Sequence, residues 1–232
     1  MAVARGAGRL PPRPVARETV QDRVCRQLTA MILDGDIEPG QTVTIAAIAE
    51  SFGVSAMPVR EALHRLTAAK ALTILAGRSV GIPPLTVERL LDLERVRIEV
   101  EGLAAEWAAR NAGTELLARL DGLLAQMSGS TAADERKSFM PANREFHFAI
   151  YAAAGSDTLL AVVENLWLQI GPYLGLLRGS GNWRTAGRQH RAARDALARG
   201  DGVGARAAVA ADIAEAARIL EKLLKADGWP GI

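Results

Sequence analysis

The chain has 232 residues, enough for one large domain or two small ones. Its 49% apolar and 23% charged residues suit a globular protein, and scarce aromatics (4%) with abundant alanine favour helices over sheets. A lone cysteine, Cys25, excludes an intramolecular disulfide framework, and no uninterrupted apolar run reaches the ~18 residues of a membrane span. These features lead to the expectation of a cytoplasmic protein that does not span a membrane.

The net charge of +2 hides an asymmetry. Residues 1–17 carry Arg5, Arg9, Arg13 and Arg17 without an acid and include Pro11, Pro12 and Pro14, which reads as a disordered basic arm. Such an arm can add phosphate contacts, or it can be an uninvolved tail. A first domain is expected over 18–83. Its first helix starts at Thr19 and lines up Val20, Val24, Leu28, Met31 and Ile32 at a 3.6-residue period. Cys25 beside that stripe reads as a small packing residue.

After a Pro39-Gly40 turn comes a short helix from Thr44 to Ser51, a turn at Phe52-Gly53, and a second helix opened by Ser55 with Pro58 in its first turn. Val59, Ala62, Leu63 and Leu66 fall at i, i+3, i+4 and i+7, while Arg60 and His64 share another, outward face. Two short helices around a glycine turn form a helix-turn-helix, whose second helix can enter the major groove, or an ordinary helical hairpin. Leu72–Leu75 and Ser79–Ile82 read as strands around a tight turn with Arg78 at its tip, a wing that can meet a phosphate or the minor groove. Pro83-Pro84 marks a linker.

From Thr86 onward the pattern is helical, at roughly 86–111, 114–128, 134–154, 156–178, 184–199 and 203–226, an antiparallel bundle filling a second domain over 86–227. Leu90, Leu93, Val96 (or Arg97), Val100, Leu103, Ala104 and Trp107 form the expected seam of the first of these helices. Pro141 and Pro172 are expected to kink or split two of the others. The fold class is therefore mainly α, a winged helix-turn-helix followed by an all-α bundle.

Only three histidines occur: His64, His147 and His190. Asn143 and His147 stand four apart on one helix face, and bundle packing can bring His190 and Asp212 opposite each other. Such a nitrogen and oxygen set can hold a divalent ion, and it can equally be a hydrogen-bonded core.

Two resemblances sharpen this reading. Phe52-Gly53-Val54-Ser55, Pro58-Val59-Arg60-Glu61-Ala62-Leu63 and the upstream Gly35-Asp36-Ile37-Glu38-Pro39-Gly40 resemble the signature of GntR-type transcription regulators. Arg97-x-x-x-Glu101, Asn143-Arg-Glu-Phe-His147, Gln-His190 and Arg199-Gly200-Asp201 resemble the FCD effector domain of the FadR-type branch. The resemblance implies a homodimer that binds a short palindromic double-stranded DNA operator and responds to a small carboxylate effector. It implies DNA contacts at Thr44, Ser55, Met57, Arg60, His64, Gly77 and Arg78, with Thr44, Ser55, Arg60 and Arg78 mainly on phosphates. It places effector binding at Arg97 and Glu101, with Arg97 pairing the effector's carboxylate, and a Zn, Mn or Ni ion at Asn143, His147, His190 and Asp212.

The match departs from the family at positions that matter. Ala46 and Ala56 stand where the family often has DNA-contacting arginines, Ala76 where some members have a wing histidine, and Asp212 where it has a histidine as fourth metal ligand. Alanine offers only a methyl to thymine, so an A/T-tolerant or weaker operator is expected. Two other classes were weighed. A metal-dependent helical enzyme lacks a His-Glu-x-x-His, a phosphate-binding glycine loop and a nucleophile with a base in reach. The other is an interaction protein whose winged domain no longer reads DNA. No enzymatic activity is expected.

Overall fold

The computed structural model of the chain describes residues 19–75, 79–128, 139–177 and 182–226, with backbone alone for 182–186. The basic arm and the wing tip, with Ala76, Gly77 and Arg78, lie outside the described residues.

α1 (Val20–Asp34) begins at a capping box, in which the Thr19 hydroxyl accepts from the Asp22 amide at 3.1 Å and the Asp22 side chain accepts from Thr19. It ends at Gly35, whose φ of 77° is the left-handed conformation that lets its amide close on the last turn. α2 (Ile45–Phe52) is capped by Thr44, and Gly53 at φ 62° turns the chain into α3 (Ala56–Ala68). Val24, Leu28 and Ile32 of α1 meet Val59, Ala62, Leu63 and Leu66 of α3 in one apolar core.

β2 (Thr73–Leu75) and β3 (Ser79–Gly81) form the expected antiparallel hairpin. A third strand, β1 (Thr42–Thr44), was not anticipated, and it places β3 in the centre of a β1-β3-β2 sheet. Its β-branched Thr-Val-Thr run pairs Val43 with Val80. Three residues are too few for period-2 reading, so only the pairing reveals the strand. Gly81 is required there, since a Cβ would lie 2.9 Å from the Gln41 carbonyl oxygen.

The second half is the expected bundle: α4 (Val87–Ala108), α5 (Thr114–Ser128), α6 (Met140–Ala152), α7 (Asp157–Leu174), α8 (Asn182–Ala198) and α9 (Gly202–Ala226). α4 packs along α9 and also against α6 and α7, while α8 lies on α9 and α5. Three expectations are refined. The buried seam of α4 runs through Leu90, Leu93, Arg97, Glu101, Ala104, Ala105 and Ala108, whereas Val96 is 43% exposed. Of the two alternatives at this position, Arg97 is the buried one, paired with Glu101 one turn on. Pro141 is the second residue of α6, and Phe139 before that helix is already helical, in π conformation, so the regular α pattern starts only at Met140. Finally, Asp157–Leu177 is long and apolar enough to cross a membrane by length and composition, with mean hydropathy 1.2, although Glu164, Asn165 and Gln169 break its apolar run. Val163, Trp167 and Ile170 of this segment are buried in the bundle core.

The two halves touch along α1 and α7. Gly171 lets Leu33 approach closely, since an added Cβ would lie 3.1 Å from Leu33 Cδ2. Arg144 of α6 pairs with Asp34 of α1 at 2.8 Å, and the Tyr173 hydroxyl donates to the Pro83 carbonyl.

Candidate functional site

The outer face of the winged domain follows from the phase of α3. Its apolar stripe faces α1, so Ser55, Ala56, Met57, Arg60 and His64 are left exposed, Met57 by 63%. Ser55 has the extended backbone of an N-cap but makes no capping hydrogen bond through its side chain. The Thr44 hydroxyl accepts from the Ala47 amide at 3.1 Å, which leaves its own proton to donate outward. Ala46 is exposed beside it. Arg65, one turn after Glu61, is tied to Asp22 of α1 at 2.9 Å, so this cation braces the domain.

The interior of the bundle is different in kind. His147 of α6, His190 of α8 and Asp212 of α9 come from three helices and converge, their ligand atoms all within 4.8 Å of one another. The two Nε2 atoms stand 3.2 Å apart; His147 Nε2 is 3.3 Å from Asp212 Oδ2 and His190 Nε2 is 3.5 Å from Asp212 Oδ1. Both histidines are at most 3% exposed, and Asp212 is nearly buried. Burial by itself would raise the Asp212 carboxyl, but His190 and His147 beside it hold it far below the usual carboxylate range. Asn143 lies one turn before His147 and is half-buried.

These separations suit a metal. Ligand atoms about 2.0–2.1 Å from a tetrahedral ion lie about 3.3 Å from each other. Two ring nitrogens and a carboxylate are donors that zinc, manganese or nickel accept.

Beside this cluster lies a second buried group. Glu101, fully buried, accepts from Arg97 Nε at 2.6 Å and Arg97 Nη2 at 3.3 Å, from the Tyr151 hydroxyl at 2.6 Å and from Trp167 Nε1 at 3.0 Å. Burial alone would lower the Arg97 guanidinium, but the charge and hydrogen bonds of Glu101 keep it above its ordinary value. Burial, with Glu101 adjacent, pushes the Tyr151 hydroxyl well up. Tyr151 also faces His147, its oxygen 3.1 Å from Nδ1, and thereby joins the two groups.

Sequence reasoning paired Arg97 with Glu101 but missed Tyr151 and Trp167 as polar partners. The i, i+4 spacing of His147 and Tyr151 was the available signal; Trp167 offered none, because its partner lies 66 positions away.

A winged helix-turn-helix joined to a helical bundle with a buried histidine and carboxylate cluster defines a class of regulatory protein. Residues 20–82 match the gntR family of bacterial regulatory proteins and residues 92–215 match the FCD domain. The chain belongs to the GntR family and carries an FCD domain. It is 32% identical over 140 residues to the HTH-type transcriptional regulator McbR of Escherichia coli K12, covering 60% of this chain and 63% of that protein. The chain thus spans just under two thirds of that relative's length in the sequence match. It is 27% identical over 187 residues to the "Probable D-xylose utilization operon transcriptional repressor" of Paenarthrobacter nicotinovorans, covering 81% and 82% of the two chains. The solved structure of E. coli McbR/YncC superposes with a TM-score of 0.80 at 27% identity, covering 88% of this chain and 98% of that one. These relatives bear the names of transcriptional regulators, not of enzymes.

Proposed function

We propose that this protein is a cytoplasmic, ligand-responsive transcription regulator, acting as a homodimer on a short palindromic operator. The observation that carries the reading is the convergence of His147, His190 and Asp212 inside a bundle physically joined to a winged helix-turn-helix. In this reading residues 18–83 bind DNA, 86–227 bind the effector and the second subunit, and 1–17 form the basic arm. Arg60 and the Thr44 and Ser55 hydroxyls, with Arg78, meet phosphates, and Met57, His64 and Gly77 approach the bases or their grooves. The methyl groups of Ala46 and Ala56 favour a thymine-rich or weakly specified site.

His147, His190 and Asp212, with Asn143 one turn away, would hold a divalent ion, which when bound supplies a positive charge for the carboxylate of a small organic acid. Arg97 is the second cation suited to that carboxylate, in bidentate fashion. Because Arg97 is committed to Glu101, an effector that engages it must displace part of that pairing. The signal has a short route outward. α6 carries His147 and, one turn earlier, Arg144, which grips Asp34 at the end of α1. Any shift of α6 on effector binding therefore moves the DNA-binding half, and operator affinity changes by linkage.

Selection of genomic fragments on the purified protein at near-physiological salt, with and without chelator, tests this. Enrichment of a palindrome is expected, with chelator changing it. Failure to enrich any sequence, with and without added small carboxylates, would favour an interaction protein whose winged domain has lost base reading through Ala46 and Ala56.

A further inference from the structure

The hydrogen bonds around Tyr151 have a direction. The hydroxyl lies 2.6 Å from Glu101 Oε2, and the carboxylate paired with Arg97 offers only acceptors, so the tyrosine proton points to Glu101. What the same hydroxyl turns toward His147 Nδ1, 3.1 Å away, is then a lone pair. Nδ1 must carry a proton to bond it, and a neutral imidazole protonated at Nδ1 keeps its own lone pair on Nε2. Nε2 is the atom that faces His190 and Asp212.

We propose that Tyr151, held by Glu101, is a positioning residue that fixes the tautomer and ring orientation of His147 so that Nε2 is presented as a metal ligand. The inference rests on the metal reading above for its purpose and adds which ligand is preorganised and by what. Glu101 makes a firm base for it, since Arg97 and Trp167 from two helices hold the carboxylate in place. His190 has no such support: its Nδ1 is buried and finds no hydrogen-bond partner among the described residues. The two histidines are therefore unequal, one held at its Nδ1 by a hydrogen-bonded chain and the other with polar partners only at the Nε2 that faces the cluster. The relay also runs through the one arginine suited to an effector carboxylate, so displacement of Glu101 from Arg97 would loosen the support of His147. Partners that orient a ligating histidine in this way typically matter 10- to 100-fold in metal affinity.

The full-length chain labelled with 15N-histidine suits the test, because it has three histidines and only His147 has this partner. Zinc affinity is read by competition with a chromophoric chelator, and the ring N–H signals of the zinc-loaded protein by NMR, assigned through contacts to the Tyr151 ring. In the wild type a slowly exchanging Nδ1–H of His147 is expected. In Tyr151→Phe that protection is lost and zinc affinity drops about 10- to 100-fold, while helix content and cooperative melting persist because the ring still fills its place. Unchanged affinity and unchanged N–H protection in Tyr151→Phe would overturn the role of Tyr151 and leave the metal reading standing. Wild-type protein that binds zinc with an unprotected Nδ1–H, or through Nδ1, would overturn it even if the variant does not fold. Wild-type protein that binds no zinc would remove the metal reading and this inference together.

Discussion

The two halves of the molecule bury different things. The core of the winged half is built from Val24, Leu28, Ile32, Val59, Leu63, Leu66 and their apolar neighbours, with the Thr67 hydroxyl buried beside them and no charged group among its described residues. The bundle, in contrast, contains the charged residues and histidines that are buried among the described residues: Arg97, Glu101, His147 and His190. In the proposed function the groups of the winged half that meet DNA stand outside, where a polyanion reaches them and solvated cations are cheap to maintain. The bundle keeps its own groups inside, where low dielectric strengthens each charge interaction but makes any unpaired member costly. A large charged partner and a small ligand thus call for opposite placements of polar groups on the same kind of helix.

That contrast can be broken most forcefully at Glu101. Replacing it with alanine strands Arg97 in the interior, and a loss of about 3–5 kcal/mol is expected by urea denaturation. A loss under about 1 kcal/mol would mean that water already reaches the network. Leu28→Ala in the winged core should cost about 2–5 kcal/mol through the cavity it leaves. Its effect should be felt in DNA binding before zinc binding. If both readouts fall together, the halves unfold as one unit and the contrast is only compositional.

Smaller changes sharpen it. Arg144→Ala removes the partly exposed pair with Asp34, worth at most about 1 kcal/mol to stability. It should nevertheless weaken the effect of chelator or effector on operator affinity; an undiminished response would reroute the coupling through Tyr173 and Pro83. Arg60→Ala should weaken binding to all DNA sequences alike and flatten the salt dependence by about one unit of slope. A change confined to one base position would instead make Arg60 a base reader.

The smallest effect is expected at Asp22. Its carboxyl lies below the ordinary range because Thr19 and then Arg65 hydrogen-bond it. A depressed folded-state value means that its contribution is complete above the unfolded value of about 3.9 and fades as pH falls through the folded one. Asp22→Asn should therefore lower the melting temperature slightly at neutral pH and not at all in strong acid. An equal drop at both pH values would place the effect in helix propensity.

Much of this was legible in the residues. The stripe of α3, the Gly53 turn, the capping Thr19 and the glycines between bundle helices all act within a few positions of themselves, where hydrogen bonds and side-chain sterics are local. The pairing of His147 with His190 and Asp212 was legible because the two scarce histidines lay on helices that a bundle must pack and the family resemblance put Asp212 with them. In the seam of α4 hydrophobicity left Val96 and Arg97 as alternatives, and Arg97 and Glu101 are inside on the strength of their mutual charge. β1 escaped because a three-residue strand exists only through its partner.

By itself, then, the sequence determined the two-part architecture, the boundaries of most described helices and the outward face of α3. These depend on periodicity and capping, which each segment carries within itself. Only the tertiary structure decided that Tyr151 stands between Glu101 and His147, that Trp167 completes the carboxylate's partners and that Arg144 reaches Asp34. Glu101 is 50 positions from Tyr151 and 66 from Trp167, and what brings them together is the rotation and crossing of α4, α6 and α7. That arrangement is set by the packing of many small apolar side chains at once, and no local stretch of the chain encodes it.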